Sequence, residues 1–318
     1  MKYAAITFRC RLTAQARFSA YKGSMLRGTM GTYLKKTCCT IQRGECTGCM
    51  LSTICMYPQL FLGKEVSCKG HPGALTLPFC LVPGDTGKSL YEEGEEFSFT
   101  IRLFSYAGDY LPYFVHAFAL AGQRGMGTGT KEQKPGTFVI EDVCSGTEYL
   151  YDKESQKIAF PKGEELELPA WRAGQEECMR LRLHLLTPCR FKEGNRLSAQ
   201  LSFRQYFDLV LRRIRSLWGL NGTEVRFENF SDMLDSADAI RMVESNLYWH
   251  DWTRFSSRQK TYMQLGGLQG SVLYEGNLAP FLPFCELAEK IHIGKQTSFG
   301  LGQTKAEIVD RRLLCREF

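Results

Sequence analysis

The chain carries one run of features twice. Leu111–Gly129 (LPYFVHAFALAGQRGMGTG) and Leu278–Gly302 (LAPFLPFCELAEKIHIGKQTSFGLG) each read as an apolar helix leading into a glycine-rich turn and then a strand. Self-similarity of this kind points to a duplicated unit, and each copy must bury its own apolar faces. At 318 residues the chain also exceeds what one hydrophobic core usually serves. In the first half, alternation marks a strand over Tyr3–Leu12, and Met25, Leu26, Met30, Tyr33 and Leu34 form a helical stripe within 22–36. Strands near 78–82 and 96–104, a helix over 111–121 and a strand over 137–143 follow. The second half opens with a strand over 179–186. A helix begins at Ser202 and Gln205, which stand at capping-box spacing, and turns Phe203, Phe207, Val210, Ile214 and Leu217 inward. A further helical stretch is expected over 230–245, strands near 249–256 and 263–274, a helix over 278–290 and a strand over 304–309. Both halves follow the order βαββαβ, the split βαβ of ferredoxin-like type. The expected fold is therefore α+β, with two tandem ferredoxin-like domains over 1–145 and 178–318. A cysteine-rich insertion at about 38–70 interrupts the first domain, and an acidic connection over 146–177 joins the two.

Charge and composition narrow the function classes. Hydrophobic residues make up 44% and charged ones 23%, which is globular composition, and the most apolar stretch near Leu111–Gly122 is shorter than the roughly 20 residues of a membrane span. The opening residues alternate instead of running apolar, so no signal peptide is expected and the chain reads as cytoplasmic. Residues 141–177 hold ten acids and four bases, a net −6, within a chain whose total is +6, so the remainder carries +12. A cationic remainder suits a polyanionic partner. Thirteen cysteines are too few for a disulfide scaffold and in a cytoplasmic chain should be reduced or metal-bound.

The sharpest local feature is the loop from Gly294 through Lys295 to Gly300 and Gly302. Glycines allow backbone N–H groups to line a concave anion site, and Lys295 adds a positive charge. It is not a nucleotide P-loop, because the residue five positions before Gly294 is Glu289 and the order is helix, loop, strand. The first copy also lacks the third glycine of a dinucleotide fingerprint, since position 130 is Thr. A second pattern is the segment 249–259, where Trp252, Arg254, Ser256 and Arg258 would share one face of a strand. Guanidiniums beside an indole suit a single-stranded nucleic acid, holding phosphates and offering a stacking surface. Arg27, Lys35 and Lys36 on the first helix supply a second basic surface.

HIGKQTSFGLG (292–302) resembles the C-terminal glycine-rich signature of the RAMP superfamily, specifically the CRISPR-associated endoribonucleases that cut repeat RNA into guide units. GSMLRGTMGTYLKK (23–36), CMYPQLF (55–61) and YWHDWTRFSSRQKTYMQLGGLQG (248–270) are similar to the same family. The resemblance implies tandem ferredoxin-like domains, repeat RNA bound across their cleft, and cleavage without a metal. Guide RNA, and other subunits of a CRISPR effector, are the partners it implies, with no membrane. A RAMP subunit that holds guide RNA without cutting it is the alternative, and a zinc-stapled RNA-binding protein outside CRISPR systems is a third reading.

Cys39, Cys46, Cys49 and Cys55 have the spacing of thiolates that close a tetrahedral site, with Cys38 able to replace Cys39. Zn²⁺ in a structural role is the first reading, an iron–sulfur cluster and plain packing the others. Catalysis itself would need no cofactor. For metal-free RNA cleavage the 2′-oxygen attacks the adjacent phosphate, and a proton-transfer group and a cation suffice. Of five histidines, His116 and His184 stand in apolar contexts and His250 stays a candidate. His292, beside the loop and Lys295, is the first choice and His71 the rival. Many members of the resembled family carry their histidine just after the first helix, where this chain has none before His71. Tyr21 and Lys22 open that helix and could assist or cap it.

Overall fold

The computed structural model describes residues 1–41, 45–46, 48–68, 71–85, 87–127, 135–172, 177–193, 196–197, 200–256 and 261–313. The chain divides into two compact units, Met1–Leu166 with Leu217–Gly222, and Glu167–Ser216 with Thr223–Phe318. The first contains β1 (Lys2–Leu12), α1 (Lys22–Cys38), the hairpin β2 (Lys64–Cys68) and β3 (His71–Thr76), β4 (Phe79–Val82), β5 (Glu96–Phe104), α2 (Leu111–Arg124) and β6 (Phe138–Ser145). Its main sheet runs β4–β5–β1–β6, all pairs antiparallel. The second contains β7 (Glu177–Cys189), α3 (Phe203–Trp218), α4 (Phe230–Asp238), β8 (Arg241–Ser256), β9 (Thr261–Asn277), α5 (Leu282–Ile291) and β10 (Thr304–Leu313). Its sheet runs β8–β9–β7–β10, again antiparallel. Each sheet places the unit's first strand between its last and its third, so both units are ferredoxin-like.

Local chemistry explains the elements. α3 starts at a capping box: the Ser202 N–H donates to Gln205 Oε1 at 2.8 Å, and the Gln205 N–H donates to Ser202 Oγ at 3.2 Å. Its inward stripe of Phe203, Phe207, Val210, Ile214 and Leu217 is buried, with Phe281 edge-on to Phe203 and Phe207. The helix expected over 230–245 ends at Asp238, and residues from Arg241 pair with β9 instead. Cross-strand pairing along the whole of β8 outweighs the helix propensity of that stretch. Through Leu166 the acidic stretch folds with the first unit, Glu148–Tyr149 pairing with β6 and Glu164–Glu165 with Lys2–Tyr3 of β1. Among the described residues no helix is long and apolar enough to cross a membrane.

The glycines of α1 suggest a close neighbour, and the structure supplies one at Gly31. A side-chain carbon there would run into the ring of Phe61, which belongs to the turn Pro58–Leu62 that follows the cysteines. Arg27 lies over the same ring, its guanidinium carbon 4.4 Å from the centroid. The missing Cβ at Gly31 admits this ring, which docks the cysteine-bearing segment on α1. Gly31→Leu overpacks this notch and should cost about 1–3 kcal/mol, read as a lower urea midpoint; an unchanged midpoint would show that Phe61 does not need the space.

Candidate nucleic-acid interface

The glycine loop of the second unit is fastened to the end of β7. Between Leu185 and Cys189 the pairing of β7 with β9 shifts register, and this irregular segment, Leu186–Arg190, receives the loop. The Lys295 N–H donates to the Arg190 carbonyl at 2.8 Å, and the Gly302 N–H to the Pro188 carbonyl at 3.0 Å. Thr187 Oγ1 donates to the Gly300 carbonyl at 2.8 Å and accepts from the Gln303 N–H at 2.9 Å. The loop also closes on itself, Ile293 N–H to the Gly302 carbonyl at 2.9 Å. Gly294 and Gly302 lie at φ +77° and +71°. A Cβ on Gly294 would stand 2.7 Å from the Arg190 carbonyl oxygen, and one on Gly302 would collide with the Ile293 carbonyl. Gly300 is left-handed at +88°. Gly267 in β9 meets the same segment, since a Cβ there would stand 2.7 Å from the Cys189 carbonyl. Arg190 in turn donates to the Gly266 carbonyl at 3.2 Å.

This geometry revises the anion-cradle expectation. The N–H groups of Ile293, Lys295, Phe299, Gly300 and Gly302 are spent on protein carbonyls, so these five line no phosphate site. The turn instead presents the exposed Lys295 side chain from a fixed base, next to the partly exposed Arg190. Thr187 and Arg190 had no signal in the sequence, because their partners lie about a hundred residues away.

The histidines fall differently from expectation. His292 is fully buried; it sits at the end of α5 with φ +55°, and its Nδ1 is 3.1 Å from the Leu301 carbonyl. An imidazole inside the core does not reach an RNA phosphate, so His292 holds the loop instead of transferring a proton there. Beside it, the buried Arg213 donates from Nε to the Ile291 carbonyl at 3.0 Å, a cation at the negative end of α5. His116 faces solvent on α2. His184 is part-exposed, with Nε2 3.6 Å from Glu307. His250 is exposed on β8, 6.3 Å from the Tyr248 ring. His71 lies on β3 and Trp252 and Arg254 on β8, while Arg258 lies outside the described residues.

In the first unit the cations of α1 have local partners. Lys36 packs over Tyr33 at 4.9 Å, and Lys35 lies close enough to Cys46 to favour its thiolate. Both stand in the last turn of α1, where positive charge suits the helix dipole. Lys22 is 2% exposed. Its ammonium donates to the Asp85 and Lys88 carbonyls, the latter at 2.7 Å, and burial pulls its pKa below the ordinary lysine range. It ties Asp85 and Lys88 to the start of α1. Burial likewise pushes the neighbouring Tyr21 hydroxyl up.

The thiols of the insertion influence one another. Burial, with Cys39, Cys55 and Cys49 nearby, raises the pKa of Cys46 against the opposing effect of Lys35. Partial burial, with Cys55, Cys39 and Cys46 adding to it, pushes Cys38 up to about 11. The donor chemistry suits a thiophilic metal, yet among the described residues no three Cys, His, Asp or Glu groups converge on one metal position. Cys10, Cys80, Cys144, Cys189 and Cys285 are buried among packed residues, and Cys178 is partly exposed.

Comparison with known proteins follows the division into units. A family profile described as an N-terminal domain matches residues 1–162, and that of the CRISPR-associated endoribonuclease Cas6 matches residues 183–304. A search of curated proteins finds no match. Among solved structures, a Cas6 product complex is similar at 13% identity and TM-score 0.55, covering 96% of this chain and 100% of the other. Thermus thermophilus Cas6 is similar at 10% identity and TM-score 0.54, covering 96% and 98%. A chain of a partial Cas6-RT-Cas1–Cas2 complex matches at 13% and 0.51, covering 96% of this chain and 46% of its own. At these identities the structural likeness speaks for the fold.

Lys22→Met should leave the two loop carbonyls without their donor and lower stability by about 1–3 kcal/mol, measured by denaturant unfolding. An unaltered unfolding curve would show that the ammonium does not tether the loop.

Proposed function

We propose that the chain is a CRISPR-associated endoribonuclease of the Cas6 type, a reading supported by the match of that family's profile to residues 183–304, and that it binds repeat RNA and cleaves it without a metal. The scissile 2′-oxygen attacks the adjacent phosphorus and the P–O5′ bond breaks, leaving a 2′,3′-cyclic phosphate and a 5′-hydroxyl. The 2′-OH loses its proton to a base, and the leaving 5′-oxygen gains one from an acid. The observation that carries the reading is Lys295, exposed on a turn whose main chain is bonded to Arg190, Pro188 and Thr187. A cation fixed before the RNA arrives stabilises the charge gathering on the phosphate without reorganising.

With His292 in the core, His71 is the proton-transfer group we assign. Arg27, Lys35 and Lys36 in the first unit, and Trp252, Arg254 and Arg258 in the second, are the residues we assign to RNA contact, while Gly294, Gly300 and Gly302 shape the turn that presents Lys295. Cys39, Cys46, Cys49 and Cys55 would hold a structural Zn²⁺ once drawn together, closing the insertion and taking no part in cleavage.

Full-length protein incubated with end-labelled repeat RNA in excess EDTA should cut it and leave a cyclic phosphate. One 2′-deoxy substitution at the cut site should abolish cleavage. Lys295→Ala and His71→Ala should each slow it by about 10²-fold or more. Cleavage that requires added Mg²⁺, or that proceeds at the deoxy site, would overturn the mechanism, and tight binding without cutting would favour a guide-RNA-holding subunit. Metal analysis should find about one zinc per chain; a chain free of metal would remove the zinc assignment.

A further inference from the structure

We infer that Thr187 is a positioning residue for RNA cleavage, acting through Lys295. This rests on the reading of Lys295 as the group that meets the scissile phosphate. Thr187 occupies the irregular end of β7, where Leu185 pairs with Gly270 and Cys189 with Leu268. Its side chain is buried, and its hydroxyl serves both ends of one turn. It donates to the Gly300 carbonyl and accepts from the Gln303 N–H, at 2.8 and 2.9 Å. On either side the main chain makes parallel contacts: Leu186 N–H to Gln303 carbonyl at 2.9 Å, Gly302 N–H to Pro188 carbonyl, and Lys295 N–H to Arg190 carbonyl.

The loop is closed by the Ile293, Phe299 and Gly300 N–H bonds to its own carbonyls, but Gly294, Gly300 and Gly302 are at positive φ, a region glycine enters and leaves at little cost. Its place on the sheet is set where its exit is tied to β7, and the Thr187 hydroxyl makes two of those ties from one atom. The exit is linked to the Lys295 side of the loop by the Ile293 N–H bond to the Gly302 carbonyl. Losing the hydroxyl therefore loosens the lysine's base, and a displacement of about 1 Å at a reacting phosphate costs on the order of 10²-fold in rate.

Thr187→Val keeps shape and removes both bonds, while Thr187→Ser keeps them. Single-turnover cleavage of repeat RNA by Thr187→Val should slow by about 10- to 100-fold, with Thr187→Ser within about threefold of the parent. The double variant Thr187→Val/Lys295→Ala should be no slower than Lys295→Ala alone, because the hydroxyl acts through that lysine. The slope of log affinity against log salt should fall in Thr187→Val by about 0.7, the share of one phosphate contact, as in Lys295→Ala. A purely structural role would leave that slope unchanged and make the two losses multiply, and either result overturns the inference. A Lys295→Ala protein at the parental rate would instead sink the reading beneath it; a slow Lys295→Ala with a parental Thr187→Val sinks this inference alone. Should the valine variant not fold, Thr187→Cys is read in its place: a rate and slope between those of Thr187→Ser and Lys295→Ala support the role, and parental values overturn it.

Discussion

Everything proposed for this chain depends on one seam, where the loop after α5 is bonded to the irregular end of β7. Thr187, Pro188 and Arg190 accept or donate four hydrogen bonds to Gly300, Gly302, Gln303 and Lys295. Arg213 and His292 brace the loop's entrance from inside the core. The glycines permit a path that other residues could not follow, but they do not select it; the seam does. Its chemical product is a lysine whose main chain is fixed and whose side chain is in solvent, the arrangement that favours a phosphate whose charge grows during reaction.

The first unit uses two cations of α1 architecturally. The buried Lys22 is consumed by the Asp85 and Lys88 carbonyls, and the partly buried Arg27 lies over the face of Phe61. Together with the notch at Gly31, these contacts attach Asp85, Lys88 and the cysteine segment to α1. Positive charge on this helix is thus partly architectural. Lys36, exposed near the helix end, is better placed for a polyanion than Lys22.

Much of the fold was legible from periodicity. The alternation of β1, the buried stripe of α3 and its capping box, and the duplicated βαββαβ order all reappear in the structure, because they express local patterns with a fixed repeat. Boundaries set by pairing were less legible: β8 claims residues 241–245, which carry no strand signal until their partner β9 is known. The site was legible only in part. The motif located the loop and Lys295, but Thr187 and Gly300 are 113 residues apart, and no local pattern announces such a bond. His292 was misleading for the same reason. Adjacent in sequence to an exposed turn, it is carried into the core by a left-handed backbone at the end of α5.

The most direct test of the seam's purpose is to follow backbone amide resonances of the full-length protein as uncleavable, 2′-deoxy repeat RNA is added. The account predicts that Gly294, Lys295 and Arg190 shift together and saturably, while the Gly302 and Gln303 amides, bonded to the Pro188 carbonyl and to Thr187 Oγ1, stay protected from hydrogen exchange. Shifts that bypass Lys295 and Arg190 at saturating RNA would contradict it.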